Sequence, residues 1–189
     1  RPGIAYSTLQ LSEIRLAQGR LAEAGTLLAR CVEAFEKLDN EVGLLIARET
    51  KSRVLLGLGD LLSAKGIAEE VLERAIALKQ RRLEGSCLLL LARLACEDDR
   101  FDEAQRILQD AERVFRVNQS RRQLAVTLLE HVQLALLRDT AERAHTPLEQ
   151  AYAELEELGI RDLVPLYFLL RGQLELLDPK ADREAARKF

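Results

Sequence analysis

The 189-residue sequence lacks tryptophan and methionine, and aromatic residues make up only 4% of it. Its three cysteines are an odd number without CxxC spacing, which argues against a disulfide framework or a zinc site. No uninterrupted run of about 18 apolar residues is present, so no membrane span is expected. The start Arg1-Pro2-Gly3 does not have the pattern of a signal peptide. Together these absences predict a protein of the reducing cytoplasm.

The charge balance gives little attraction to nucleic acids or membranes. Charged residues make up 31% of the chain, and the net charge is −3. The basic pairs Arg81-Arg82 and Arg121-Arg122 could form a ridge facing an acidic partner or a nucleic-acid backbone. No aromatic residues are interleaved with the basic residues at these connections, so nucleic acid is not the expected partner.

What the sequence does contain is an internal repeat. The pattern of the stretch Gly19–Leu38 recurs three times at intervals of 40 residues. The alanine in its first helical turn recurs as Ala24, Ala64, Ala104 and Ala144. Apolar residues follow at spacings of three and four, which predicts helices, and no stretch holds a period of two. Such a repeat indicates stacked helical hairpins. We therefore predict an all-α superhelical stack of antiparallel helical hairpins. It forms one domain over residues 1–189, with units of about 5–44, 45–84, 85–124 and 125–164 and a partial fifth over 165–189.

The spacing places two helices in each unit. The predicted first helices are Ile4–Ala17, Gly43–Leu58, Glu84–Glu97, Arg122–Leu137 and Val164–Leu177. The predicted second helices are Leu21–Leu38, Leu61–Gln80, Phe101–Val117 and Ala141–Leu158. Glycine or aspartate recurs in the turns, which predicts left-handed caps or N-caps. Asp178-Pro179 predicts a fifth turn, and Asp182–Phe189 the opening of another helix.

Two positions in this pattern leave alternatives open. Pro147 falls inside the fourth second helix, yet Thr146-Pro147-Leu148-Glu149 also has the pattern of a helix start, so the helix either kinks or restarts there. At the far end, the apolar stretch Leu163–Leu177 lacks the polar outer face of a terminal repeat. We therefore expect the chain to be part of a larger protein, and we consider self-association through this stretch.

The turn and second-helix pattern resembles the tetratricopeptide repeat (TPR) family. It is present as Gly19-Arg20-Leu21-Ala22-Glu23-Ala24 and as Asp99-Arg100-Phe101-Asp102-Glu103-Ala104. The usual TPR period is about 34 residues, and the longer step is similar to a variant found in bacterial regulators, including ATP-dependent transcription activators and kinases with repeat tails. The variant also occurs in some eukaryotic adaptor proteins. The resemblance implies a concave groove, lined by first helices, that binds peptides, helices or small effectors without catalytic residues.

The resemblance also implies which side chains line this groove. They are Tyr6, Leu9, Gln10, Glu13, Ile46, Glu49, Thr50, Arg53, Leu89, Leu90, Arg93, Leu129, Glu130 and Gln133. The Lys and Asn clamp with which chaperone-binding members hold a terminal carboxylate is absent from these positions. What remains is an apolar strip flanked by Arg53 and Arg93, which suits an amphipathic helix or an extended segment carrying acidic groups. Alternatively, the leucines of the strip pack against neighbouring helices.

Three basic residues of the first two units stand in core rows that are mostly apolar in the third and fourth units: Arg15, Arg48 and Lys51. Unpaired buried charge is costly. Either the helices are rotated and the long side chains reach past the core to water, or the three residues form a polar pocket between the first two units, paired by Glu13 or Glu49. The second alternative would suit an effector-sensing domain.

No set of residues indicates catalysis. The chain has two histidines, His131 in a core row and His145 near Pro147, and a lone helical histidine is usually structural. Glu97-Asp98-Asp99 with Asp102 lacks the spacing of a calcium loop and is interpreted as a solvated turn. No metal or cofactor is expected. We therefore predict a non-enzymatic protein-interaction module of a bacterial regulatory or signalling protein. The alternative is an effector-sensing domain of a multidomain transcription activator or kinase.

Overall fold

A computed structural model describes residues 2–177 of the chain, and these residues are helical throughout apart from short turns. The α-helices are α1 (Pro2–Ala17), α2 (Leu21–Lys37), α3 (Glu41–Gly57), α4 (Leu61–Ala77), α5 (Arg81–Glu97), α6 (Phe101–Val117), α7 (Arg121–Leu137), α8 (His145–Leu158) and α9 (Val164–Leu177). A 3₁₀ turn, Ala141–Arg143, precedes α8. The all-α prediction is confirmed. The predicted turn at Asp178-Pro179 and the helix after it lie outside the described residues.

Consecutive helices pack as antiparallel pairs. The chain divides into two compact units, the first comprising Arg1–Leu94 and the second beginning at Ala95. In the first unit, α2 packs against both α1 and α3, and α3 also packs against α4. In the second unit, α7 is the central element, because it contacts α6, α8 and α9. The limits of the individual 40-residue repeats remain a prediction.

Within residues 2–177, each turn between consecutive α-helices contains one residue in the left-handed region, and these residues follow one another at steps of 20. They are Gly19, Asp39, Gly59, Lys79, Asp99, Gln119, Asp139 and Gly159. At Asp39, the backbone N–H donates to the Glu36 carbonyl (3.1 Å), and the N–H of Asn40 donates to the Phe35 carbonyl (3.0 Å). This pair of bonds is a Schellman cap, which satisfies carbonyls at the helix end. The same geometry ends one helix and aims the next one back along it.

Small residues allow the paired helices to approach closely. Ala24 and Ala64 in the first unit, and Ala104 and Ala144 in the second, are fully buried. In the first unit, a core cluster joins α1, α2 and α3 around Leu28 and Phe35. These alanines are also the residues that recur every 40 positions in the sequence. The sequence repeat therefore reflects the positions at which paired helices contact each other.

The predicted helix around Pro147 is interrupted, because a short 3₁₀ turn is followed by a new helix, α8, that contains Pro147. After the 3₁₀ turn, α8 begins at His145 with Ala144 as its N-cap, and no side chain caps this end. The interpretation of Thr146 as the N-cap is therefore wrong, although the restart itself is present. Pro147 is the third residue of α8, where a backbone N–H would have no partner within the helix, so its missing donor costs nothing there.

Candidate functional site

The predicted apolar strip of the groove belongs to the protein core. In the first unit, Leu9 is 4% exposed, Leu89 is 9% exposed and Leu90 is 2% exposed. In the second unit, Leu129 is 1% exposed. The alternative in which these leucines pack against neighbouring helices is the one that the structure shows. They have little surface left for a partner, so the expected apolar strip is corrected.

The polar members of the predicted groove are more accessible. In the first unit, Tyr6, Gln10, Glu13 and Arg93 are exposed, Ile46 and Arg53 are partly buried, and Glu49 and Thr50 are buried. In the second unit, Glu130 and Gln133 are partly buried.

Tyr6 has a structural role as well. Its ring stacks edge-on against Phe35 at 5.0 Å between ring centroids, and its hydroxyl accepts a hydrogen bond from the Asn40 side-chain amide (3.1 Å). The residue thus ties α1 to the end of α2.

Glu49 on α3 is a buried carboxylate on which charges from three helices converge. Burial raises the pKa of Glu49, and the nearby carboxylate of Glu13 on α1 raises it further. Arg53 on α3 and Arg93 on α5 act in the opposite direction. We call Glu13, Glu49, Arg53 and Arg93 the charged face. Since each residue affects the same carboxylate, the three first helices of this unit bring the four groups within electrostatic range of one another.

The expected polar pocket of Arg15, Arg48 and Lys51 is not formed. Arg15 Nε lies 3.2 Å from a carboxylate oxygen of Glu23, whereas Arg48 pairs with Glu70. Lys51 is exposed. The predicted pairing with Glu13 or Glu49 is therefore wrong. The arginine side chains reach past the core rows to acidic residues on second helices, as long amphipathic side chains can.

A polar pocket is instead present in the second unit, around His131. It has a volume of about 380 Å³ and lies among α6, α7, the 3₁₀ turn and α8. Its lining residues are Gln105, Gln109, Glu112, Leu128, His131, Ala135, Arg138, Thr140, Arg143, Thr146, Pro147 and Gln150. The sequence contained two signals of it, namely a histidine in a core row and a proline that interrupts the pattern. Neither signal specified a cavity.

His131 holds the centre of this pocket, with 10% of its side chain exposed. Its Nε2 lies 3.1 Å from a carboxylate oxygen of Glu112 but makes no hydrogen bond there, so this buried nitrogen is left unsatisfied. Its Nδ1 lies 3.4 Å from the Gln105 side-chain amide. Burial lowers the pKa of His131, and the negative charge of Glu112 opposes that shift only in part. The shift favours the neutral form of the ring.

Three arginines of the basic pairs identified in the sequence are engaged in ion pairs, namely Arg81, Arg121 and Arg122. Arg121 binds Glu157 with two nitrogens, at 2.7 Å and 2.6 Å, and Arg122 binds both carboxylate oxygens of Asp162. In the first unit, Arg81 pairs with Glu84 at 2.8 Å. These acidic partners neutralise the proposed ridge, which weakens the case for a nucleic-acid backbone.

The described residues 2–177 give little support for metal-dependent or thiol-based chemistry. Within this range, no group of three or more histidine, cysteine, aspartate or glutamate side chains is arranged to hold a metal. Cys31, Cys87 and Cys96 are free thiols, and burial raises the pKa of Cys96 to about 11. None of the described helices is both long enough and apolar enough to cross a membrane.

No protein-family model and no curated protein sequence matches the chain. Solved structures do match it. Aspartyl phosphate phosphatase F from Bacillus subtilis has a TM-score of 0.77 and 17% identity, and the match covers 100% of this chain and 49% of that one. The chain thus spans about half the length of that protein.

A second similar structure is that of nearly identical TPR-like repeats of a putative kinesin light chain from Podospora anserina. It has a TM-score of 0.68 and 17% identity, covering 100% of this chain and 92% of that one. A variant of the same protein gives the same TM-score and identity with coverages of 99% and 91%. At this level of identity the likeness concerns the fold.

Proposed function

Because the chain has the TPR-like helical repeat fold, we propose that it is a non-enzymatic protein-interaction module that binds a peptide or helix of a partner protein. The binding surface is the charged face of the first unit together with Tyr6 and Gln10. The partner segment carries at least one acidic group. TPR-like folds commonly serve in protein interaction, and this general role is the starting point for the finer proposal.

The convergence of charge on Glu49 is the observation that carries the proposal. Two guanidinium groups, on α3 and α5, act on a buried carboxylate whose pKa is raised by burial. Arginine presents a planar fork of donors that matches a carboxylate, so Arg53 and Arg93 suit an acidic side chain of a partner. The buried Glu49 would hold the two arginines near one another before the partner arrives, which reduces the ordering cost of binding.

The structure changes the expected source of affinity. The leucines of the strip are buried, so the apolar contribution would come from the exposed ring of Tyr6 and the partly buried side chain of Ile46. The remaining specificity would depend on charge. Electrostatic complementarity mainly affects partner choice and association rate, and it weakens as salt rises.

The bacterial neighbour supports a setting in a bacterial regulatory or signalling protein. That neighbour is an aspartyl phosphate phosphatase, but the likeness is one of fold and covers about half of its length. We carry over the regulatory context and propose no phosphatase activity. The effector-sensing alternative, within a transcription activator or kinase, loses the residues first proposed for it, since Arg15 and Arg48 pair with separate acids.

The test is affinity capture with the immobilised chain, followed by measurement of the dissociation constant for the identified partner. We expect Arg53→Glu/Arg93→Glu to weaken binding at least tenfold, because it replaces both cations of the charged face. The matched control is Arg30→Glu/Lys37→Glu, which makes the same charge change at exposed positions of α2. Equal binding by the native chain and the Arg53→Glu/Arg93→Glu variant, with helicity unchanged by circular dichroism, would refute the proposal.

Self-association through Leu163–Leu177 is a second proposal, favoured by the exposed apolar face of α9. Phe168, Leu169, Leu176 and Leu177 are between 53% and 83% exposed. Contiguous exposed apolar surface is typical of interaction sites. We expect light scattering to show a mass that rises with concentration, and Phe168→Asp/Leu176→Asp to keep the chain monomeric. A native chain that is monomeric at all concentrations would rule this out.

A further inference from the structure

The pocket around His131 lies beside the irregular start of α8. In the regular hairpins, the second helix begins as α-helix directly after the turn, at Leu21, Leu61 and Phe101. After the turn that follows α7, a 3₁₀ turn occupies that place, and α8 starts only at His145. Thr146 and Pro147, in the first turn of α8, line the cavity beside this irregular start. Its volume of about 380 Å³ is within the range of small-molecule sites, roughly 300–1,000 Å³.

The inner wall of the pocket carries an unsatisfied hydrogen-bonding atom. Nε2 of His131 is buried and makes no well-aligned hydrogen bond, although a carboxylate oxygen of Glu112 lies 3.1 Å away, whereas most buried polar atoms in proteins are paired. The ring is held in place by α7, whose neighbouring lining residues Leu128 and Ala135 are apolar and buried. A ligand group placed in the cavity would complete this nitrogen's hydrogen bonding.

Charges of both signs line the cavity. Glu112 supplies a carboxylate beside His131, and it also pairs with Arg116 at 2.7 Å. On the 3₁₀ turn, the side chain of Arg143 is exposed and forms no hydrogen bond or ion pair with the described residues. Arg138 also lines the pocket, but Asp102 pairs with it at 2.8 Å. Arg143 is thus the cation that a ligand can engage without breaking an existing ion pair.

Primary amides supply the neutral polar lining. Gln105 and Gln109 come from α6, and Gln150 comes from α8. Each amide offers two donors and one acceptor oxygen, so a ligand with both donors and acceptors can be satisfied from two sides. The Gln109 side chain is exposed and, like that of Arg143, makes no hydrogen bond within the described part of the chain.

We propose that this pocket binds a small zwitterion, namely a free amino acid or a dipeptide. Its carboxylate pairs with Arg143, its ammonium group faces Glu112, and its remaining polar groups bind the glutamine amides and Nε2 of His131. A purely anionic ligand would meet the Glu112 carboxylate, and a purely cationic one would meet Arg143. A molecule with both charges is favoured because it complements both. This site lies within the second unit and does not depend on the charged face of the first.

The chain offers a direct probe, because it has only two histidines. Ring signals of His131 and His145 can be recorded by NMR and assigned with the variant His145→Asn. We would titrate the chain with the common amino acids and a panel of dipeptides. The expected result is a saturable shift of the His131 signal with at least one of them, and no such shift with acetate or methylammonium as single-charge controls.

Variants of exposed lining residues separate binding from folding. We expect Arg143→Ala and Gln109→Ala each to lower the affinity for the zwitterion at least threefold. The double variant should lower this affinity at least tenfold. Arg113→Ala, at another exposed position of α6, is the matched control and should bind like the native chain. The proposal is overturned if no amino acid or dipeptide shifts the His131 signal at concentrations up to ~10 mM. It is also overturned if the double variant binds as tightly as the native chain.

Discussion

The ring of Phe35 occupies the space that a side chain at Gly43 would need. A Cβ atom built at Gly43 would lie 2.5 Å from two ring carbons of Phe35, and Phe35 is itself fully buried. Gly43 is in the first turn of α3, where its N–H donates to the Asn40 side chain at 2.8 Å. The absence of a side chain is therefore what allows α3 to pack against the end of α2.

Gly43→Ala is expected to destabilise the first unit by about 1–3 kcal/mol, the usual cost of overpacking a filled core. The measurement is chemical denaturation followed by circular dichroism. Gly66→Ala provides the control, because a Cβ at that exposed position in α4 would meet no atom within 4 Å. It should stabilise the chain by roughly 0.5–1 kcal/mol, since alanine favours a helix over glycine. Equal effects of the two substitutions would contradict the packing argument.

Two of the left-handed turn positions carry residues poorly suited to them. Lys79 has φ 55° and Gln119 has φ 54°, a region that costs a side-chain-bearing residue about 1–2 kcal/mol. A substitution to glycine would remove this cost, but glycine also makes the unfolded chain more flexible, which offsets part of the stabilisation. We expect Lys79→Gly and Gln119→Gly each to raise the free energy of unfolding by about 0.5–1 kcal/mol.

The matching controls for these turns are Gly19→Ala and Gly59→Ala, where φ is 72° and 81°. Both should destabilise, because alanine would be forced into the same region. Destabilisation by Lys79→Gly would show that the lysine side chain contributes more than its backbone strain costs.

The buried ring of His131 should make stability fall with acid. Its pKa is lowered in the folded state, so the unfolded chain binds the proton more readily. The free energy of unfolding therefore decreases as pH falls through about 6.5, the ordinary histidine value, toward the lower folded pKa. The charged groups around the ring are Glu112 on α6, Glu130 on its own helix, and the pocket arginines Arg138 and Arg143.

His131→Gln should remove this part of the pH dependence, because an amide does not titrate. The comparison is of thermal unfolding at pH 7.5 and pH 5.5 for the native chain and the variant, with His145→Asn as the control. A loss of stability on acidification that is as large in His131→Gln as in the native chain would assign the effect to other groups.

The contribution of Glu49 to stability should depend on pH in the opposite direction to that of His131. Its pKa is raised by burial, so stability is highest below about 4.5 and is lost as pH rises through the interval up to the folded value. Glu49→Gln, which keeps the shape and removes the charge, is expected to stabilise the chain at pH 7. The same change should weaken binding of an acidic partner, because Arg53 and Arg93 are no longer held near one another by the Glu49 carboxylate. Glu13→Gln, at an exposed position of the charged face, should change stability less. A less stable Glu49→Gln would mean that pairing with the arginines outweighs desolvation.

Helix positions were largely readable from the sequence. The predicted Phe101–Val117 has the bounds of α6, and predicted Ile4–Ala17 ends where α1 ends. Errors were confined to a few end residues, as in Leu61–Gln80, which stops at Ala77. Such accuracy has a local cause, because the apolar spacing and the turn residues act within one or two helical turns of the chain.

Side-chain partners could not be predicted in the same way. Leu9 and Glu49 were placed correctly on first helices, but their burial depends on how far each helix is rotated against its neighbours. Arg48 pairs with Glu70 on the following helix, and no spacing rule distinguishes this acid from Glu13 or Glu49. Electrostatic and packing energies of such groups depend on distances in three dimensions.

The amino-acid sequence by itself thus determined the helices, their turns and the TPR-like repeat fold, since a 40-residue pattern of small and apolar residues permits little else. The tertiary structure decided which polar groups are buried, how the basic residues are paired, and that a pocket opens around His131. These outcomes depend on the contacts of each side chain with residues distant in sequence. That pocket lies beside the one described helix pair whose second helix begins with a 3₁₀ turn.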